Sequence, residues 1–66
     1  MQLIVNGEPK VFDSAPSVAQ LLRELGLAQR RVAVEVNREI VPRSRHGEFQ
    51  LREHDRVEVV FAVGGG

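Results

Sequence analysis

Three consecutive glycines, Gly64, Gly65 and Gly66, follow the most apolar stretch of the sequence. Glycine has no side chain and reaches backbone angles closed to other residues, so these residues can form an insertion tail that enters a narrow channel of another protein. The reactive group that the tail then presents is the terminal carboxylate of Gly66. Because an ionised carboxylate is inert toward nucleophiles at neutral pH, its use requires activation with a nucleotide. The tail therefore indicates Gly66 as an attachment point and implies an adenylating partner.

We identify no catalytic residue elsewhere in the sequence. It has no Ser-His-Asp spacing, phosphate-binding loop or paired acids that would support an active site. His46 and His54 fall in predicted loops and the sequence has no cysteine, so we interpret both as solvated loop histidines rather than metal ligands. We expect no metal and no cofactor bound by this chain, and we place the ATP site on the partner.

Composition and charge narrow the classes of partner. The sequence has 66 residues, enough for one small domain, of which 42% are hydrophobic and 27% charged, a globular balance. Nine Lys plus Arg residues offset nine Asp plus Glu residues, so charge does not favour nucleic-acid binding. Without cysteine, basic leader or long apolar run, we expect a cytoplasmic protein with neither signal peptide nor membrane span.

The first residues predict a β-hairpin. Residues 2–6 form the first strand, and Asn6-Gly7 is a hairpin turn signal. We expect a second strand over residues 10–13. Glu8-Pro9 should widen the turn. Because Pro9 has no amide hydrogen, it should lie at the start of that strand or beside a bulge.

A helix with both ends marked follows the hairpin. Four apolar residues fall at the spacing of one helix stripe, namely Val18, Leu21, Leu22 and Leu25. Ser17 and Gln20 are placed to form a capping box. Gly26 suits a left-handed C-cap, and Leu27 can supply the hydrophobic contact that often closes such an end. We expect this stripe to pack on the sheet.

Three further strands are predicted. Residues 32–36 alternate valines with other side chains, and a tight turn over residues 37–39 leads to a short strand that Pro42 ends. The last strand covers residues 56–63 and becomes apolar on both faces, which is typical of a central strand. The three phenylalanines are expected in the core.

The order of elements is hairpin, helix, strand, short strand, irregular segment and final strand. This order predicts an α+β protein with the β-grasp (ubiquitin-like) fold, a mixed sheet with one main helix packed across one face. The final strand then runs through the middle beside the first. We assign residues 1–63 to the β-grasp domain and residues 64–66 to a flexible C-terminal glycine tail.

The sequence resembles the ThiS family of sulfur carrier proteins of thiamine biosynthesis over essentially its whole length. The residues that carry the resemblance are those at 1–7, 17–22 and 36–43, Asp55, and the Gly65-Gly66 ending. The most specific part is Asn37-x-x-Ile40-Val41-Pro42-Arg43. The sequence departs from the family in an extra Gly64 and in Glu53-His54 before Asp55, and neither change touches the reactive end.

The resemblance implies a carrier protein that is a co-substrate of partner enzymes and not itself an enzyme. A ThiF-like adenylating enzyme would use ATP to convert the Gly66 carboxylate into an acyl-adenylate. A sulfur donor enzyme would then supply the sulfur that replaces AMP and leaves a thiocarboxylate. A ThiG-like thiazole synthase would accept this sulfur to build the thiazole ring.

Three other functions share parts of this pattern. The small subunit of molybdopterin synthase has the same diglycine end and the same chemistry. Ubiquitin-like protein modifiers also end in this way. A β-grasp interaction module with no reactive end is the third alternative.

A partner-docking patch is predicted on the sheet face away from the helix. If Leu3 and Val59 face the helix, strand alternation turns the side chains of Ile4, Val60 and Ala62 to the opposite face. An apolar patch there would need a partner to cover it. We add Phe61 and Val63 to the patch, since both lie in the same apolar run before the tail.

Overall fold

The computed structural model describes residues 1–61, and its sheet and helix confirm the predicted β-grasp architecture. The elements in chain order are β1 (Gln2–Val5), β2 (Glu8–Val11), α1 (Val18–Glu24), β3 (Val32–Val36), β4 (Glu39–Val41), a 3-10 turn (Arg43–Arg45) and β5 (Arg56–Phe61). The strands form one sheet in the order β2-β1-β5-β3-β4. Strand β5 runs parallel to β1 and antiparallel to β3, so the last strand is central as predicted.

The first hairpin turns more tightly than the sequence analysis predicted. Asn6 and Gly7 have φ angles of 50° and 83°, as a two-residue type I′ turn requires, and β2 already begins at Glu8. The expectation that Glu8-Pro9 widens the turn is therefore wrong, whereas Pro9 does lie at the start of β2, as predicted. Pro9 pairs with Ile4 in an edge strand. The Phe12 amide donates to the Met1 carbonyl (2.8 Å). In an antiparallel pair, residues whose backbone groups point toward the partner strand alternate with residues whose groups point away. The Pro9 nitrogen therefore points away from β1, where no hydrogen-bond donor is needed.

Both predicted caps of helix α1 are present. The Gln20 amide donates to the Ser17 hydroxyl (3.1 Å), and the Ser17 amide donates to the Gln20 side chain (2.8 Å). At the other end Gly26 has a φ of 75°, and the Leu27 amide donates to the Leu22 carbonyl at 2.7 Å. This is a Schellman closure, which ends the helix without leaving these backbone groups unpaired.

The core lies between α1 and one face of the sheet. The buried hydrophobic residues are Leu3, Val5, Val18, Leu21, Leu22, Val34, Val36, Val41, Leu51, Val57 and Val59. Phe12 and Phe49 pack against this cluster and are partly buried. Phe61 is 47% exposed, so the expectation of a third core phenylalanine is wrong. Its side chain shares the parity of Val57 and Val59, but it lies at the last described position of the strand.

Candidate functional site

The end of β5 is the part of the described chain that precedes the glycines predicted to carry the reactive group. β5 remains paired with β3 up to Phe61, which lies opposite Val32. The predicted attachment point Gly66, the insertion tail Gly64 and Gly65, and the patch residues Ala62 and Val63 lie outside the described residues. Their roles remain predictions. The structure bears on the strand that would present them.

Two apolar side chains are exposed at this end of β5. Val60 is 53% exposed on the open face of the sheet, and Phe61 projects on the helix side. The guanidinium carbon of Arg30, in the connection between α1 and β3, lies 5.2 Å from the centre of the Phe61 ring. At an exposed site such a cation–π contact contributes about 0.5–1 kcal/mol. The strand end is thus held by β3 on one side and by Arg30 on one face.

The structure does not bring the predicted docking residues into one contiguous patch. Ile4 and Val60 share the open face, as predicted, but Ile4 is half-buried and pairs with Arg56. Val60 lies four residues further along β5 than Arg56, roughly 13 Å away at the rise of a strand. The exposed Glu58 lies between them. Phe61 belongs to the other face by strand alternation.

Sequence reasoning missed the other apolar residues of the open face. Ala33 pairs directly with Val60 and is exposed. Val11 in β2 and Ile40 in β4 are 78% and 68% exposed on the same face. Only the strand register shows that these side chains lie on the same sheet face as Val60, and hydrophobic periodicity alone does not supply the register.

The opposite end of β5 is built around the residues that carry the family resemblance. Asn37 and Arg38 have φ angles of 51° and 71° and form a second type I′ turn, so Glu39 belongs to β4 rather than to the predicted turn. The Asn37 side chain accepts from the Arg56 amide (3.0 Å) and donates to Asp55 Oδ1 (2.9 Å). Asp55 Oδ2 accepts from the Arg52 amide at 2.8 Å. Asn37 and Asp55 therefore anchor the start of β5.

The two histidines differ in their surroundings. His54 is exposed, as expected, and its Nε2 lies 3.5 Å from Glu53 Oε2. His46 is only 8% exposed, and its Nε2 lies 3.1 Å from the Val41 carbonyl oxygen. The interpretation of His46 as a solvated loop histidine is therefore wrong. Its carbonyl also accepts from the Ala19 amide (2.9 Å), so His46 ties the 3-10 turn to the first turn of α1.

Two features absent from residues 1–61 concern metal binding and membrane insertion. No group of three or more His, Asp or Glu side chains in this part of the chain is arranged to hold a metal ion. Within the same residues, no helix has the length and apolar character needed to cross a membrane.

Comparison with known proteins decides the family. A model of the ThiS family matches residues 3–66, which include both the described domain and the glycine tail. The chain belongs to the ThiS family. The predicted resemblance is thereby confirmed.

Relatives of this ThiS-family chain include sulfur carriers and a solved structure. The sulfur carrier protein ThiS of Bacillus subtilis is 38% identical over 50 residues, which cover 76% of each protein. The crystal structure of the thiamine biosynthesis protein ThiS of Geobacter metallireducens matches with a TM-score of 0.86 and 36% identity, and each chain is covered completely.

Longer proteins also contain a segment similar to this ThiS-family chain. A thiazole synthase of Paramagnetospirillum magneticum is 44% identical over 66 residues. That match covers all of this chain and 20% of the synthase, and a thiazole synthase of Magnetococcus marinus is covered to the same extent. The chain thus spans about a fifth of the length of these two relatives.

Proposed function

We propose that this chain is a sulfur carrier of thiamine biosynthesis that holds sulfur as a thiocarboxylate on Gly66. An oxygen of the Gly66 carboxylate attacks the α-phosphate of ATP, pyrophosphate leaves, and an acyl-adenylate results. A sulfur nucleophile at the oxidation level of sulfide then attacks the acyl carbon and displaces AMP. The thiocarboxylate is a softer and better sulfur nucleophile than the carboxylate that it replaces.

The observation that carries this proposal is the family match that extends through Gly66. The fold supports it, because the central strand β5 leads directly toward the tail and Val60 and Phe61 are exposed beside it. The chain provides a carboxyl group and a recognition surface, and the partners provide the catalytic groups. It is therefore a co-substrate and not an enzyme.

The proposed partners are a ThiF-like adenylating enzyme, which binds ATP, a sulfur donor enzyme and a ThiG-like thiazole synthase. The segment similar to this chain within two proteins named thiazole synthase supports the last of these. The names of the relatives favour thiazole formation over molybdopterin synthesis. The absence of cysteine from the sequence supports a cytoplasmic location.

We propose that partners dock at the end of β5. Val60 on the open face and Phe61 on the helix side present apolar surface on both sides of the strand, and Ala62 and Val63 would continue it. Ile4 would lie at the margin of this surface, because Arg56 and Glu58 separate it from Val60.

The experiment is an intact-mass measurement after incubation with ATP, a ThiF-like enzyme and a sulfur donor. We expect the chain to gain the mass of one oxygen-to-sulfur exchange. A variant that lacks Gly65 and Gly66 should retain the fold and gain nothing. Lysine adducts would instead identify a protein modifier, and an unchanged mass would leave a passive interaction module. Sulfur transfer from the modified chain to a thiazole synthase, and not to a molybdopterin synthase, completes the test.

A further inference from the structure

The two sides of β5 are paired over different lengths. On the β3 side, pairing continues up to Phe61, which lies opposite Val32. On the β1 side, pairing ends at Val57, where β1 turns into the first hairpin. The last residues of β5 therefore extend beyond β1 with one side uncovered by a strand.

The side chain of Asn6 marks the end of the pairing with β1. The Asn6 amide donates to the Val57 carbonyl (2.8 Å), which continues the parallel ladder. Asn6 Oδ1 then accepts from the Val59 amide at 2.8 Å, in place of the next backbone carbonyl of a longer strand. The Asn6 side chain thus binds the Val59 amide, which is the first hydrogen-bond donor of β5 after the pairing with β1 ends.

The next two backbone groups of β5 on the β1 side, the Val59 carbonyl and the Phe61 amide, have no partner within the described residues. Strand alternation directs the Val59 carbonyl and the Phe61 amide toward the β1 side, because the Arg56 backbone groups bond Asn37 on the other side. Among residues 1–61, no group accepts from the Phe61 amide or donates to the Val59 carbonyl. We call residues 59–61 on this side the free edge.

The outer edges of the same sheet are protected against pairing with other chains, whereas the free edge is not. Edge strand β2 contains Pro9, which has no amide hydrogen, and edge strand β4 is three residues long and is followed by Pro42. Prolines and short strands protect sheet edges from pairing with other chains. The free edge has neither protection, and it carries an exposed apolar side chain on each face, Val60 and Phe61.

We propose that an extended segment of the adenylating enzyme adds to the free edge as a further strand. This inference rests on the proposed function. Glycines offer only backbone groups, so side-chain contacts cannot fix the position of the tail along the enzyme. Backbone pairing at residues 59–61, just before the tail, sets its register and direction, as in other cases of strand addition. Val60 and Phe61 cover alternate side chains of the added strand.

Replacement of Phe61 by proline removes the free donor and tests the proposal. The outward position of Pro9 in β2 shows that a sheet edge of this fold accepts a proline. We compare Phe61→Pro with Phe61→Ala, which keeps the amide, and measure kcat/KM for adenylation. Loss of one hydrogen bond predicts that Phe61→Pro is about tenfold slower than Phe61→Ala.

Val11 provides the matched control. Its amide also points away from the sheet, on the opposite edge, because the ladder alternates from the bond between Phe12 and Met1. Val11→Pro and Val11→Ala should differ by less than about twofold in kcat/KM, since that edge has no proposed partner. Thermal unfolding of each variant confirms that the domain is folded.

Amide hydrogen exchange of the unaltered chain gives a second measurement that needs no variant. The Phe61 amide should exchange rapidly in the free chain and slowly when the adenylating enzyme is added without ATP, while the Val11 amide stays rapid. Equal rates for Phe61→Pro and Phe61→Ala, or a Phe61 amide left unprotected by the enzyme, would overturn the proposal. Protection that rises with the concentration of the chain alone would also overturn it, in favour of pairing between two copies. If the unaltered chain is not adenylated at all, the proposed function itself has failed.

Discussion

The two ends of β5 are built in opposite ways. At its start, the Asn37 side chain accepts from the Arg56 amide and donates to Asp55, and the next residue, Val57, is fully buried. At its end, Val60 and Phe61 are exposed, and the Val59 carbonyl and the Phe61 amide have no partner within residues 1–61. The domain thus concentrates its stabilising contacts away from the end that leads to the tail. A partner could therefore bind the end of β5 without disrupting the contacts that stabilise the fold.

The largest expected effect on the free energy of unfolding comes from a substitution in the core that packs against the sheet. Leu3 is fully buried in β1, so Leu3→Ala should lower the free energy of unfolding by about 3 kcal/mol through lost burial and a cavity. A domain of this size has about 3–10 kcal/mol in total, so part of the population should unfold. Phe61→Ala is the matched variant at the exposed end and should cost about 1 kcal/mol or less. Urea unfolding measures both, and equal losses would contradict the contrast between the two ends.

The second prediction concerns the anchor at the start of β5. Asn37→Ala removes bonds to Asp55 and Arg56 and places alanine at a φ of 51°, so the free energy of unfolding should fall by about 2 kcal/mol. Asn37→Gly loses the same bonds but tolerates the backbone angle, so it should cost about half as much. Thermal unfolding compares the two.

Adenylation kinetics provide the control for this anchor. Below the unfolding transition, both Asn37 variants should be adenylated at rates within about twofold of the unaltered chain, because they retain the strand end. A loss in either variant as large as that expected for Phe61→Pro would show that the two ends are coupled.

The smallest expected effect is a change in the KM for adenylation, and it tests whether Val60 belongs to the proposed docking surface. Val60→Glu places a charge on the proposed docking surface and should raise the KM for adenylation about tenfold, equivalent to about 1.4 kcal/mol. Val60 is half exposed, so thermal unfolding should change little. Val11→Glu is the control, since Val11 is more exposed on the same face but lies in an edge strand. Equal KM values for the two variants would remove Val60 from the docking surface.

Local signals made much of the fold predictable from the sequence. The capping box of Ser17 and Gln20 and the closure at Gly26 lie within a few residues of each other, so their spacing alone identifies the helix ends. The order of the elements predicted the central position of the last strand correctly. The apolar pattern on both faces of this strand does not reflect burial of both faces, since Val60 is 53% exposed on the open face.

Long-range contacts account for what the sequence did not reveal. The start of β2 was misplaced because Pro9 is tolerated only through the outward direction of its nitrogen, which depends on its pairing with β1. His46 is buried by its contact with Val41, which no periodic pattern records. The resemblance marked Asn37 as specific, but its role in holding Asp55 required the register between distant segments. The free edge likewise emerged only from the unequal lengths of two strand pairings.

The parallel arrangement of β1 and β5 places Met1 and Phe61 at opposite ends of the sheet. The Gln2 carbonyl accepts from the His54 amide at 2.7 Å, so Met1 lies near the anchored start of β5. Phe61 is a strand length away, roughly 20 Å. A bead, fluorophore or affinity tag attached at Met1 would therefore leave the end of β5 at Phe61 accessible. The chain can be immobilised there and the proposed loading with sulfur followed on a solid support.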